Sequence, residues 1–254
     1  MALSIASLNS GSNGNCYYIG NDTDAVLIDV GISCTETEKR MKQLGLTVSK
    51  LRAIFVSHEH QDHCKGVSTF ANKYQLPVYI TTGTALNGPR LIRHLSKTFV
   101  ANDSIHIGGL CVSAFQTKHD AADPHNFIVT DQQVTVGVFT DIGIACTEVQ
   151  RYFSKCNAVF LEANYDELML LNGPYSDVLK HRIRSGEGHL SNAQALELFM
   201  QHRSPTLSRL LLCHLSAQNN NKLLVEQLFK EQAGACEVST CSRSAPTGVF
   251  YITA

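Results

Sequence analysis

Apolar and polar positions alternate over Leu3 to Leu8, Cys16 to Ile19 and Ala25 to Asp29. A period of two is that of a strand, and the Gly/Asn/Ser and Asn/Asp stretches between these segments supply turns, so the chain opens on three antiparallel strands. Thr35 to Leu44 then sets Met41 and Leu44 at helical spacing, and Ala53 to Val56 is a short buried strand. A helix over Val67 to Tyr74, a strand over Pro77 to Thr81 and a helix over Thr84 to Leu95 follow in a βαβ rhythm. Strands return at Ser104 to Ile107, Leu110 to Gln116, Asn126 to Thr130 and Gln133 to Phe139, the last two joined as a hairpin through Thr130-Asp131-Gln132. The remainder predicts helices over Glu148 to Phe153, Asn192 to Gln201 with Ser191 as N-cap, and Lys222 to Gln232. Strands are predicted over Ala158 to Leu161, Arg209 to Cys213 and Gly248 to Thr253. Two successive blocks, each β-rich and then α-containing, predict an α/β fold: a four-layer αβ/βα sandwich of two mixed sheets flanked by helices, one domain over residues 1–254.

Composition narrows the partners. With 254 residues, 44% hydrophobic and 17% charged, the chain is globular rather than disordered. Lys+Arg 21 against Asp+Glu 22 leaves a formal charge of -1, so any polyanion must be drawn by a local feature rather than by the overall field. The amino terminus lacks a secretory signal and no apolar run is long enough to span a bilayer, which predicts a cytoplasmic protein without a membrane partner. Nine cysteines without CxxC pairing fit free thiols in a reducing compartment, and Cys64 and Cys213 read as small core residues.

The chemistry concentrates in Ser57-His58-Glu59-His60-Gln61-Asp62-His63, just past a buried strand. In an extended segment His58 and His60 point the same way, while Asp62 and His63 lie where the chain must turn. One loop therefore offers two imidazoles to one cation and a carboxylate plus an imidazole to another, the donor set that borderline divalent metals accept. A plain polar loop would have to gather three of the 11 histidines here by accident.

This HxHxDH run after an apolar strand resembles the signature of the metallo-β-lactamase-fold hydrolases. The resemblance continues with a single His, a single Asp and a final His. His119 in Thr117-Lys118-His119-Asp120 fills the first place, with His125 as its rival, followed by Asp141 and His214, each after a predicted strand. The opening Leu8 to Asn15 and the stretch His119 to Pro124 are similar to the YycJ (WalJ) branch of the family. The resemblance implies two divalent ions, zinc or manganese with iron as a further option. His58, His60 and His119 would hold one, and Asp62, His63 and His214 the other. Asp141 would bridge them, and a hydroxide between the ions would be the nucleophile. With Asp62 and Asp141 as the only anionic ligands, such a site keeps about two positive charges. An Asp bridge argues against an antibiotic hydrolase but is shared with glyoxalase-type thioesterases.

Glu162 and His189 look like the additional motifs of phosphodiesterase members, in which a Glu orients a His that protonates the departing oxygen. Asp62, Glu162 and His189 are thus the residues expected to carry catalysis. The loop containing Ser10, Ser12 and Asn15 offers small side chains and backbone N–H groups for phosphate, or is an ordinary turn. Lys180-His181-Arg182-Ile183-Arg184 is either a track for a nucleic-acid backbone or a solvated helix face. The expectation is a dinuclear metal-dependent phosphodiesterase, a nuclease of exonuclease type acting on DNA or RNA with His189 as general acid. The alternatives are a glyoxalase II-type thioesterase and a metal-binding regulatory protein with residual hydrolase chemistry. The spans Pro77 to Thr98 and Phe153 to His189 leave no room for a long nucleic-acid-clamping arm.

Overall fold

The computed structural model describes residues 2–254. One seven-stranded sheet holds β1 (Leu3–Asn9), β2 (Cys16–Gly20), β3 (Ala25–Ile28), β4 (Leu51–Phe55), β5 (Val78–Ile80) and β6 (Ser96–Thr98) in that order, with β14 (Phe250–Ile252) outside β1. The second seven-stranded sheet runs β7 (Ser104–Ile107), β8 (Leu110–Gln116), β9 (His125–Thr130), β10 (Thr135–Phe139), β11 (Ala158–Glu162), β12 (Arg209–Cys213) and β13 (Glu237–Thr240). Each sheet begins antiparallel and becomes parallel, at β3/β4 in the first and at β10/β11 in the second. Both sheets are mixed, as predicted.

Parallel neighbours need crossovers, and helices supply them on the outer faces. The first sheet is covered by α1 (Cys34–Gln43) and α3 (Val67–Tyr74), the second by α5 (Thr147–Phe153), α8 (Asn192–His202) and α9 (Lys222–Lys230). Strand alternation divides the apolar residues into three layers. Tyr17, Ile19, Val26, Ile28 and Phe55 face Phe127, Val136, Val138, Phe160 and Leu211 between the sheets. Tyr18, Leu27 and Ile54 instead meet Met41, Val67 and Phe70 under the first helical layer, while Val159, Leu161 and Leu212 meet Phe153, Phe199 and Phe229 under the second. Across the central layer Tyr17 packs on Phe160 with ring centroids 4.9 Å apart, and Phe55 meets Phe127 edge-on at 5.7 Å. Cys64 and Cys213 are buried in these layers, as small core residues.

The helix expected over Thr84 to Leu95 is shorter. It is α4 (Thr82–Asn87), capped by the Thr81 hydroxyl, and it stops where Gly88 adopts φ -107 and ψ -144. Pro89 follows, and the proline ring disfavours a helical residue before it. Strands β6 and β13 carry no clear alternation because they are sheet edges rich in polar residues, Ser-Lys-Thr and Glu-Val-Ser-Thr. The segment between β11 and α8 folds as α6 (Glu167–Asn172) and α7 (Asp177–Arg184), and α2 (Gln61–Cys64) is a single turn inside the histidine run. Among the described residues no helix is long and apolar enough to cross a membrane.

Phe160 fills the middle of the inter-sheet layer and is fully buried. Phe160→Ala is therefore expected to lower unfolding stability by about 3–5 kcal/mol in urea titration, with the denaturant slope unchanged.

Candidate metal centre

Strand ends deliver the site. The carboxyl ends of the parallel strands lie at one edge of the sandwich, where α/β sheets leave a crevice. β3 ends just before Asp29, β4 runs toward Ser57 and the histidine run, β10 ends before Asp141, β11 ends at Glu162 and β12 before His214. Asp29, Asp141 and His214 adopt φ of 59, 57 and 53, a left-handed backbone that costs energy for any side chain but glycine. At each of these points the chain turns sharply and keeps the side chain aimed inward.

The imidazoles are held from behind. Asp29 accepts hydrogen bonds from the Ser57 backbone N–H and hydroxyl, both at 2.8 Å, and from His63 Nδ1 at 2.7 Å. Because Ser57 Oγ donates to Asp29, it accepts from His58 Nδ1 at 2.9 Å. His119 Nδ1 donates to the Gly188 carbonyl at 2.9 Å. In all three rings an outer partner takes Nδ1 and turns Nε2 toward the centre, the arrangement by which a neighbour orients a ligating imidazole. His58 Nε2 stands 3.0 Å from His60 Nδ1, and His63 Nε2 stands 3.0 Å from Asp141 Oδ2. His214 Nε2 lies 3.5 Å from Asp62 and 3.6 Å from Asp141.

A cation fits this arrangement. His119 Nε2 is buried without a hydrogen-bond partner, a costly state unless something else is bound there. The donor atoms of His58, His60 and His119 lie within 4.8 Å of one another, as do those of Asp62, His63 and His214 and those of His58, His63 and Asp141. Nitrogen and oxygen donors of this kind suit divalent metals. His125 stands apart: its Nδ1 donates to the Asp123 carbonyl at 3.0 Å and its ring meets Phe99 edge-on. Of the two rivals, His119 is the one brought into the cluster.

Burial opposes charge on these groups, yet their mutual attraction overrides it for several. His214 is pushed up to about 10, and His63 is held well above its ordinary value, because Asp141 and neighbouring carboxylates outweigh desolvation. Asp141 is held well below the carboxylate range by His214 and His63, against its own burial, and Asp62 is lowered by His63 and His214. His58 is pushed well below 6.5 by burial and by the surrounding imidazoles, and His119 is also lowered, burial first.

Glu162 and His189 come together as expected. Glu162 is fully buried and accepts from His189 Nδ1 at 3.1 Å, from the Leu190 N–H at 2.8 Å and from the Asp141 N–H at 2.8 Å. Despite burial, His189 and His214 lower its carboxyl to about 2. His189 is raised by Glu162 and Asp141, against desolvation. Its loop is fixed on one side by the capping box of Ser191 and Gln194, and on the other by the His189 N–H on the Ile183 carbonyl at 2.9 Å.

A cavity of about 280 Å³ opens over the cluster, lined by His60, Asp62, His119, Asp141, His189 and His214, with Ser12 on one wall and α7 on the other. Ser10 and Asn15, expected to meet substrate, lie in the wall of this opening. Ser10 Oγ accepts from the His214 N–H at 2.8 Å, and Asn15 Nδ2 lies 3.3 Å from Asp62 and 3.0 Å from His63. Both are buried braces, and of the three only Ser12 faces the opening. Gly31 allows this close fit, since a Cβ there would stand 1.7 Å from the Asp62 carbonyl oxygen.

Asp29, Ser57, Asn164 and Asp120 were not singled out by sequence. Asp29 had a signal: a carboxylate ending a fully apolar strand needs a partner. Asp120 Oδ1 lies 3.3 Å from His119 Nε2, and Asn164 Nδ2 lies 3.1 Å from His214 Nδ1. Those contacts are between segments distant in the chain or hidden in the choice of rotamer. Beyond the two carboxylates expected as ligands, Asp29, Asp120 and Glu162 also stand around the centre.

Fold and cluster together define a metal-dependent hydrolase. The sequence profile of the metallo-beta-lactamase superfamily matches residues 10–179, and the chain belongs to that superfamily. It is 32% identical over 264 residues to the exodeoxyribonuclease YycJ of Bacillus anthracis, covering 99% of this chain and 100% of that one. It is 27% identical over 237 residues to the exodeoxyribonuclease WalJ of Streptococcus pneumoniae serotype 2, covering 91% and 88%. The likeness to the YycJ (WalJ) branch is thereby borne out. Among solved structures, the metallo-beta-lactamase fold protein YhfI of Bacillus subtilis superposes with a TM-score of 0.73 at 15% identity, over 99% of this chain and 100% of that one, a likeness of fold.

The titrations predict a proton signature. His214 is raised from 6.5 to about 10, so its contribution to the stability of the metal-free protein is full below 6.5 and fades as pH climbs toward 10. Glu162, lowered from 4.5 to about 2, contributes above 4.5 and loses that contribution as pH falls toward 2. A divalent cation bound by His63 and His214 would have to displace their protons. Calorimetric titration with zinc in buffers of different ionisation enthalpy is expected to show proton release at neutral pH, reduced in His214→Gln; no release would mean the rings are already neutral.

Proposed function

We propose that this metal-dependent hydrolase is a dinuclear phosphodiesterase that degrades DNA as an exonuclease, within a single domain over residues 1–254. The names of the two curated relatives support the substrate class. In this reading His58, His60 and His119 hold one ion, Asp62, His63 and His214 the other, and Asp141 lies between them, consistent with the spacing of their donor atoms. Zinc and manganese both suit such donors. Nine free thiols fit a reducing, cytoplasmic setting.

Divalent cations, when held there, would supply Lewis acidity at a phosphoryl oxygen and lower the pKa of a water. The protein supplies the rest. Glu162 holds His189 through Nδ1 and favours its protonated form, while Nε2 has no protein partner among the described residues and the ring borders the cavity. In this reading His189 delivers a proton to the departing oxygen from the cavity wall. Glu162 also accepts from the backbone N–H of Asp141, so one carboxylate braces both His189 and Asp141.

This dyad is the observation that carries the reading. An alkoxide leaves a phosphodiester poorly without protonation, whereas a thiolate leaves a thioester readily, so a buried Glu–His pair has work in a nuclease and none in a thioesterase. Nitrophenolate likewise leaves without help. His189→Ala is therefore expected to lower kcat on a DNA oligonucleotide by about 10² or more, with a far smaller loss on bis(p-nitrophenyl) phosphate and unchanged metal content. Equal losses on both substrates would reduce His189 to a structural part, and undiminished DNA cleavage would remove it from the mechanism.

A further inference from the structure

We infer that Arg182 forms a phosphate subsite beside the metal centre, one that takes the phosphate flanking the scissile bond of a nucleic-acid strand. The inference rests on the nuclease reading and deepens it.

Three observations carry it. The first is electrostatic. Two divalent cations held at this centre would face the five carboxylates of Asp29, Asp62, Asp120, Asp141 and Glu162, each within contact of a cluster histidine. The centre is then close to neutral, and a chain of formal charge -1 offers no general attraction either. A polyanion needs a cation placed at the mouth.

The second is geometric. Arg182 lines the same cavity as His60, His119 and His189, and its Nε donates to Asp120 Oδ2. Asp120 Oδ1 in turn lies 3.3 Å from His119 Nε2. The Asp120 carboxylate thus links the Nε edge of the guanidinium to His119 and holds Arg182 beside the centre. Its Nη groups, without a protein partner among the described residues, are left for an anion one step outward. A planar fork of N–H donors of this kind is suited to a phosphate.

The third is mechanical. The carboxyl end of α7 is tied to the His189 loop: the Ile183 carbonyl accepts from the His189 N–H, and the Asp120 N–H bonds the Glu187 carbonyl at 2.9 Å. Gly188 permits the close approach, since a Cβ there would lie 2.2 Å from the Ile183 carbonyl oxygen. Arg182 is thereby positioned with the proton donor. Lys180, His181 and Arg184 border a separate outer cavity, with Lys180 on the Leu171 carbonyl and Arg184 beside Glu167 at 3.4 Å. The basic run therefore divides, and only Arg182 serves the centre.

The test uses the full chain and a short fluorescent single-stranded DNA. Arg182→Ala is expected to raise Kd by anisotropy, and KM for cleavage, about tenfold, the cost of one charged hydrogen-bonded contact, while kcat at saturating DNA falls by no more than about twofold. The slope of log affinity against log salt should become shallower by about 0.7, one single-strand phosphate contact. Arg182→Lys should restore part of the affinity and the slope. If wild-type protein cleaves DNA while Arg182→Ala keeps its KM, Kd and salt slope, the subsite is wrong and the nuclease reading stands. A loss of kcat with an unchanged salt slope would make Arg182 only a brace for Asp120 and also overturn the subsite. If wild-type protein leaves DNA uncut, the nuclease reading falls, and the subsite with it.

Discussion

A carboxylate taken out of water at the meeting of two sheets is the constraint on which the rest of the cleft depends. Asp141 is nearly inaccessible, with His63 at 3.0 Å and His119 and His214 each at 3.6 Å. Removing an ion from water costs several kcal/mol or more, and only opposite charge and hydrogen bonds at short range offset it. Asp141 therefore has to be surrounded by groups that can carry or hold a cation. His63 and His214 are raised in turn because Asp141 itself, with Asp29 behind His63 and Glu162 behind His214, outweighs their burial. The cluster is a closed set of mutual obligations, and its members can be removed only at the expense of their neighbours.

The fold meets that demand through its topology. Parallel strands in both sheets end at one edge, so residues at strand ends converge although they are far apart in the chain. Three of those ends carry a left-handed non-glycine residue, at Asp29, Asp141 and His214. Strain of this kind persists where the surroundings over-determine it, and here the inter-sheet aromatic layer around Tyr17, Phe127 and Phe160 fixes the strands from which these turns depart. Packing in the centre of the sandwich is thus what pre-organises the donors at its edge.

The same edge gathers two kinds of carboxylate. Asp62 and Asp141 point at the centre, whereas Asp29 and Glu162 point at the far nitrogens of rings that do. The second kind orients the rings without facing the cavity. On the proposed reading, separating orientation from contact in this way lets one acidic site serve both cation binding and proton donation. On the same reading anion recruitment is left to the rim, where α7 borders the opening.

By itself the sequence determined the two-sheet sandwich, since two successive blocks of short apolar strands and helices are written along the chain, and it determined the HxHxDH loop, since its histidines and aspartate are neighbours in the chain. It also placed Asp141, Glu162, His189 and His214 at strand or helix ends, where the structure has them. Edge strands β6 and β13 escaped because polar edges lack alternation, and the helix after Thr84 was overextended across Pro89. Only the tertiary structure chose His119 over His125, turned Ser10 and Asn15 into braces, and brought Asp29 behind His63 and Arg182 to Asp120. Those choices depend on which atoms face each other across segments tens of residues apart, and that distance in space is set by how the sheets stack, a property that no local spacing encodes.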